Sequence, residues 1–193
     1  MENSYKDLSM KHQFITDKLS WQGDYNVNAH TYSVIYDRLF APFKHKPINF
    51  LEIGVYLGGN IAICSEYFEN INHYGIDIVD NLKIDKNLFS FYFGSFDDPN
   101  IISQVSERKY DIILEDASHI LEHQMEAIKI YLPLLNEGGI MIIEDIQDPS
   151  FIGSIYSVID MQKYFVYTID LRVNKNRWDD LIVVIEHRSE KYR

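Results

Sequence analysis

The sequence predicts an α/β fold in which a mostly parallel sheet of seven strands carries helices on both faces and ends in an antiparallel hairpin. Short apolar runs alternate with amphipathic stretches from Ile48 onward, an alternation typical of parallel strands joined by helices. The last two apolar runs, 163–172 and 180–188, are too close in sequence for a helical crossover, so we expect them to pair as a hairpin. The length of 193 residues and the hydrophobic content of 46% suit one such domain.

The elements divide into an N-terminal segment, 1–46, and a single core domain, 47–193. The segment is expected to contain helices near 4–18 and 30–40, and a linker follows at 41–47. Buried strands are predicted at 48–55, 73–79, 89–94, 110–116 and 139–146. Apolar residues at helical spacing predict helices at 59–69 and 119–135.

The composition excludes several classes of protein. Twenty-nine Asp and Glu against 18 Lys and Arg give a formal charge of −11, which disfavours binding to nucleic acids and to anionic membranes. Cys64 is the single cysteine, so neither an intrachain disulfide nor a multi-cysteine metal cluster is expected. The polar first residues do not resemble a secretion signal, and no run approaches the roughly 18 apolar residues of a membrane span. We therefore expect a cytoplasmic protein.

A glycine-containing loop follows the first strand, in the sequence LEIGVYLGGN at 51–60. Ligands of open α/β sheets bind beyond the carboxyl ends of the strands, which makes Glu52, Gly54 and Gly58 candidate ligand contacts. The dinucleotide fingerprint G-x-G-x-x-G requires a glycine where Tyr56 stands, and a tyrosine there would crowd a pyrophosphate. The loop therefore favours a nucleoside without phosphates over NAD, although two glycines can also merely form a tight turn.

Asp77 lies at the end of the second predicted strand, 23 residues after Gly54. An acid at this place can accept both hydroxyls of a ribose. The alternative is a solvated acid at a strand end. Together, the loop and the acid indicate S-adenosylmethionine.

An acidic edge is predicted where the fourth and fifth strands end, at Asp116 and at Glu144–Asp145. Carboxyl ends of neighbouring parallel strands meet at one edge, and three converging carboxylates repel one another unless a cation lies between them. Hard oxygen donors suit Mg²⁺ or Ca²⁺. The alternative is that these acids cap the helices that follow.

Two histidines follow Asp116 within one predicted helix. His119 and His123 have the H-x-x-x-H spacing that can bind zinc. Next to Asp116, His119 fits better as a general base at the edge of a metal site. His123 is expected to be structural, and Ser118 to be the helix N-cap.

These motifs resemble a known family. EDASHILEHQ (115–124) and LPLLNEGGIMIIEDI (132–146) resemble the D-D-G-S-H…H-Q…L-x-P-G-G-x-x-x-I-E-D signature of metal-dependent class I methyltransferases, such as the mycinamicin-type macrolide sugar O-methyltransferases and the cephalosporin hydroxylase-like proteins. LEIGVYLGGN and YGIDI (74–78) match the cofactor loop and the ribose acid. TDK (16–18) and HTYSVIYDRLF (30–40) resemble the segment that closes over the cofactor.

The resemblance implies a Rossmann-like class I methyltransferase fold and a role for each matching residue. Mg²⁺ would be bound by Asp116, Glu144 and Asp145, and His119 beside Asp116 would deprotonate the acceptor hydroxyl. The residues expected at S-adenosylmethionine are Glu52, Gly54, Tyr56, Gly58, Asp77, Tyr32 and His30. Glu115 and Ala117 depart from the acidic motif. Ser95 and Phe96 replace the usual adenine-contacting acid, for which Asp97 is the candidate substitute.

The function expected on this basis is Mg²⁺-dependent O-methylation of a small polyhydroxylated acceptor such as a sugar. Its acceptor would be recognised by the N-terminal segment, by loops near 147–160 or by a second subunit of a homo-oligomer. Two alternatives are an NAD-dependent oxidoreductase or epimerase and a non-catalytic cofactor-binding subunit. Tyr56 argues against the first, and the four residues Asp116, His119, Glu144 and Asp145 argue against the second.

Overall fold

The structure is a computed structural model that describes residues 3–18 and 30–188. Its strands form one sheet in the order β3-β2-β1-β4-β5-β7-β6. The strands are β1 Ile48–Ile53, β2 Ile71–Asp77, β3 Ser90–Phe93, β4 Tyr110–Glu115, β5 Leu135–Ile143, β6 Tyr164–Asp170 and β7 Leu181–His187. β1 to β5 are parallel, and β7 pairs antiparallel with both β5 and β6. The predicted mostly parallel sheet with a C-terminal hairpin is confirmed.

The helices are α1 Tyr5–Lys11, α2 Ser33–Phe40, α3 Gly59–Tyr67, α4 Pro99–Val105, α5 Leu121–Tyr131, α6 Phe151–Ser157 and α7 Arg172–Lys175. Short 3₁₀ turns occupy Ala41–Phe43, Lys86–Leu88 and Leu132–Leu134. None of the helices in the described ranges is long and apolar enough to cross a membrane.

Several predicted boundaries were wrong. The first helix ends at Lys11 and not near residue 18, although its start is fixed by a capping box between Ser4 and Asp7. A helix, α6, lies where loops were expected near 147–160, and α4 was not predicted at all. Both have seven residues, which is too short for helical periodicity to stand out in the sequence.

Two hydrophobic clusters cover the opposite faces of the sheet, because successive side chains of a strand point to opposite faces. Leu51 and Ile53 of β1 belong to the cluster that also contains buried residues of α4, α5 and α6. Phe50 of β1 belongs to the other cluster, together with buried residues of α1, α2 and α3. In that second cluster the rings of Tyr5 and Tyr36 meet edge to face at 5.4 Å. The N-terminal helices are therefore packed into the core of the sheet.

The sheet register brings the predicted acids to one level. Ile53 of β1 pairs with Glu115 of β4, and Glu115 pairs with Ile143 of β5. The next residues along β4 and β5 are Asp116 and Glu144, so both leave the sheet side by side. The shared carboxyl edge of β1, β4 and β5 is where a site can form.

Candidate active site

A cavity of about 410 Å³ opens at the carboxyl edge of β1, β2 and β4. Four residues predicted from the sequence line it: Gly54, Tyr56, Asp77 and Asp116. The rest of the wall is mostly apolar or small and includes Ile53, Ile76, Ile78, Val79, Asn81, Gly94, Ser95, Phe96, Ala117, Ser118 and His123. A concave apolar wall with a few polar groups is typical of a small-molecule site.

Asp77 fixes the glycine-containing loop to the end of β2. Its Oδ2 accepts the backbone N–H groups of Val55 and Tyr56, each at 2.8 Å, and its Oδ1 accepts the N–H of Val79 at 2.8 Å. Three N–H donors hold the carboxylate in one orientation at the cavity wall. The geometry is suited to accepting ligand hydroxyls with the remaining lone pairs.

Gly54 brings this loop against the backbone of the acidic edge. It has φ +90°, and a Cβ built on it would lie 2.0 Å from the backbone oxygen of Asp116. Only glycine therefore permits the loop and the end of β4 to approach so closely. This approach places the cavity directly beside Asp116.

The remaining residues expected at the cofactor do not line the cavity. Glu52 is buried, with Oε2 3.0 Å from Nε2 of His73 on β2. Asp97 is exposed, and its neighbours Ser95 and Phe96 line the cavity instead. Gly58, at φ +87°, precedes the first residue of α3. His30 and Tyr32 contact the acidic edge.

A lysine lies between two of the three predicted metal-binding acids. Nζ of Lys18 is 2.5 Å from Oδ2 of Asp116 and 2.5 Å from Oε2 of Glu144. Burial alone would lower the pKa of Lys18, but the two carboxylates more than offset this effect and raise it well above its ordinary value. Lys18 is therefore a buried cation. This contact was not predicted from the sequence, although the TDK motif indicated the segment that supplies it.

Asp145 is held by residues from outside the β4–β5 edge. The hydroxyl of Tyr32 donates to its Oδ1, and Nδ1 of His30 lies 3.2 Å from the same oxygen. His30 Nδ1 is also 2.7 Å from Oδ1 of Asp180, which directly precedes β7. Burial and then the charges of Asp116 and Glu144 raise the pKa of Asp145 well above its ordinary value, although His30 and Tyr32 oppose the rise. Asp180, which the sequence did not suggest, thus supports Asp145 through His30.

His119 lies in the loop between β4 and α5, where its φ of 58° is unusual for a residue with a side chain. Its Nε2 is 3.6 Å from Oδ2 of Asp145, and its buried Nδ1 has no hydrogen-bond partner. Burial lowers the pKa of His119, and the charges of Lys18 and His30 lower it further against the opposing effect of Asp116. The imidazole is therefore neutral near pH 7 and able to accept a proton.

The helix expected to begin at His119 begins at Leu121, and its N-cap is Ile120 and not Ser118. Ser118 Oγ instead lies 2.8 Å from Nδ1 of His123, whose ring packs 5.7 Å from that of Phe96. The two histidines therefore do not share one helical turn, which removes the geometric basis of a zinc pair.

The residues present fit a divalent cation. Ligand atoms of Asp116, His119 and Asp145 all lie within 4.8 Å of one another. Oε1 of Glu144 is buried without a partner. Crowding of the acids, the raised pKa of the buried Asp145 and the unsatisfied oxygen of Glu144 are what a hard cation would relieve.

Backbone strain concentrates at the same place. In the described part of the chain, four non-glycine residues have positive φ, and Tyr56, His119 and Asp145 are three of them. Each such conformation costs of order 1–3 kcal/mol and persists only because the surrounding structure imposes it. Strain at all three loops is typical of a functional site.

A comparison with solved structures gives a match over nearly the whole chain. The structure of the MycE methyltransferase from the mycinamycin biosynthetic pathway, in complex with Mg and SAH, superposes with a TM-score of 0.76 and covers 97% of this chain and 55% of that chain. The chain has a class I methyltransferase fold. At 21% sequence identity the likeness concerns the fold alone.

Sequence relatives are methyltransferases that act on glycosylated metabolites. The 8-demethyl-8-alpha-L-rhamnosyl tetracenomycin-C 2'-O-methyltransferase of Streptomyces olivaceus is 31% identical over 65% of this chain and 36% of its own length. The mycinamicin VI 2''-O-methyltransferase of Micromonospora griseorubida is 28% identical over 60% of this chain and 31% of its own length. The resemblance stated from the sequence is confirmed.

The chain spans about a third of the length of these curated relatives. No family model matches it. Within the class I methyltransferase fold, the cavity occupies the carboxyl edge where such sheets bind ligands.

Proposed function

We propose that this chain carries out metal-assisted, S-adenosylmethionine-dependent O-methylation of a sugar hydroxyl on a glycosylated metabolite. The observation that carries the proposal is the position of Asp116, which lines the cavity and also belongs to the acidic edge with His119. A methyl donor in the cavity would therefore lie next to an acceptor held at the acids. The sugar O-methyltransferase relatives support this choice of acceptor.

The cavity suits S-adenosylmethionine. Asp77 is oriented by three backbone N–H groups toward a ribose, and the ring of Phe96 offers an apolar surface for adenine. Gly54 allows the donor to approach the end of β4. Tyr56 at the loop disfavours the pyrophosphate of NAD.

The acidic edge suits deprotonation of a hydroxyl. Asp116, Glu144 and Asp145 would hold the cation, with His119 beside them. When bound, Mg²⁺ lowers the pKa of an acceptor hydroxyl and S-adenosylmethionine provides the electrophilic methyl group. His119, neutral at pH 7, would accept the proton of the acceptor hydroxyl at Nε2. The glycine-containing loop and Asp116 would align the acceptor oxygen for in-line attack on the methyl group.

Replacing the proposed base tests the function. His119→Ala should lower the rate of methyl transfer to a rhamnosylated acceptor by at least about 100-fold, because general base catalysis contributes about that much. Calorimetry should show S-adenosylhomocysteine binding unchanged. The control is His45→Ala, an exposed residue that pairs with Glu69.

Four outcomes would contradict the proposal. Unchanged turnover in His119→Ala would show that His119 is not the base, and full turnover in EDTA would show that no metal ion is needed. Binding of NAD in place of S-adenosylhomocysteine would favour an oxidoreductase. Binding without transfer to any glycoside would favour a non-catalytic subunit.

The partner proposed is a small molecule. The formal charge of −11 disfavours nucleic acids and anionic membranes as partners. A cytoplasmic location and a homo-oligomeric state stay predictions.

A further inference from the structure

Lys18 is the residue of the site that the proposed function does not use. It is 3% exposed, and Asp116 and Glu144 lie 2.5 Å from its ammonium group. A buried lysine is stable only when it is paired in this way. Lys18 belongs to the N-terminal segment, and its backbone forms an isolated β-bridge with that of His30. It is therefore a fixed part of the acidic edge.

The Lys18 ammonium group pairs with only some of the carboxylate oxygens at the acidic edge. It contacts one oxygen of Asp116 and one of Glu144 and leaves Oε1 of Glu144 buried without a partner. No ion pair joins the Lys18 ammonium group to Asp145, whose ion-pair partners in the described ranges are His30 and His119. Two carboxylates thus share one ammonium while a third, Asp145, lies beside them without contacting it, and the cluster retains an attraction for a second cation.

We propose that Lys18 is an internal cation that competes with the divalent metal for Asp116 and Glu144. The inference rests on the metal role in the proposed function. A metal bound to these carboxylates needs their oxygens at about 2.1 Å, and Lys18 already holds one oxygen of each. A divalent ion and an ammonium group so close together repel each other. Lys18 therefore stabilises the metal-free protein and keeps metal binding weak and reversible.

The test is a titration of the metal-free protein with Mn²⁺, followed by electron paramagnetic resonance. Lys18→Met removes the charge and keeps much of the side-chain volume, so it should bind Mn²⁺ at least about tenfold more tightly than the wild type. In EDTA its unfolding temperature should fall, because Asp116 and Glu144 lose their counter-ion. Saturating Mn²⁺ should restore that temperature.

Two other variants serve as comparisons. Lys18→Arg keeps the charge and should bind Mn²⁺ within about threefold of the wild type, since the competing cation remains. Lys11→Met removes an exposed lysine that pairs with Glu66 and should change neither affinity nor unfolding temperature. If Lys18→Met does not fold in EDTA, Lys18→Gln replaces it with a polar side chain, and the same gain in affinity is expected.

The outcomes separate this inference from the proposed function. If Lys18→Met and Lys18→Gln bind Mn²⁺ no more tightly than the wild type, the competition is refuted. The proposed methyl transfer is not affected by that result. A gain in affinity in Lys18→Arg as large as in Lys18→Met overturns it as well. Absence of methyl transfer to every glycoside would refute the proposed function, while tighter binding by Lys18→Met would still support the competition. If none of the proteins binds Mn²⁺, both the metal role and the competition fail.

Discussion

Gly54 shows how one residue without a side chain determines the distance between two parts of the site. Any Cβ there meets the backbone of Asp116, and φ is +90°. Gly54→Ala should therefore destabilise the protein by about 3 kcal/mol or more, because backbone must move. Urea unfolding measures the loss. Gly153→Ala is the control, since a Cβ at this position in α6 meets nothing within 4 Å, and it should stabilise by about 0.5–1 kcal/mol. Equal effects of the two substitutions would contradict this account.

Glu115 carries a prediction on pH. Complete burial raises its pKa from 4.5 to about 8, and its Oε2 has no partner. At neutral pH the folded protein therefore keeps a proton on Glu115 that the unfolded chain releases. Because the unfolded state binds fewer protons between about pH 4.5 and 8, stability falls as the pH rises through this window.

Glu115→Gln removes this titration. In EDTA, urea unfolding should show the variant more stable than the wild type at pH 8 by about 2 kcal/mol or more, with a smaller difference at pH 5. Glu122→Gln, at an exposed position of α5, is the control for the loss of a charge. A Glu115→Gln protein with the same pH dependence as the wild type would show that this carboxyl is ionised in the folded state.

At the scale of elements, the C-terminal hairpin supports the site from a distance in sequence. Asp180 precedes β7, and its carboxylate accepts hydrogen bonds from the N–H and hydroxyl of Thr31 and lies 2.7 Å from His30. His30 in turn contacts Asp145. The hairpin and the N-terminal segment together therefore orient one of the acids.

Asp180→Asn tests this support. It should lower Mn²⁺ affinity and methyl transfer by about tenfold, because residues behind metal ligands usually contribute 10–100-fold. Binding of S-adenosylhomocysteine should be retained, since Asp180 is not part of the cavity wall. Asp170→Asn, at the exposed end of β6 beside Arg172, is the control. Loss of cofactor binding together with metal binding would indicate a general loss of structure instead.

At the scale of the whole molecule, local patterns predicted much of the fold. Apolar runs of strand length, the helical spacing of α5 and the short separation of the last two runs were sufficient for the parallel sheet and its hairpin. The position of the acids at one edge of the sheet could be predicted, because neighbouring parallel strands have their carboxyl ends on the same side. Helices of two turns, such as α4 and α6, escaped because seven residues hold too little periodicity.

The sequence by itself determined which residues could form a cofactor loop, a ribose acid and an acidic edge, since each is a short motif next to a strand end. Only the tertiary structure decided what lies between and behind these acids. Lys18 and Asp116 are far apart in the chain, as are His30 and Asp180, yet each pair is in contact. Such contacts depend on packing of the N-terminal segment and the hairpin against the sheet. No local pattern of residues encodes the distance between them.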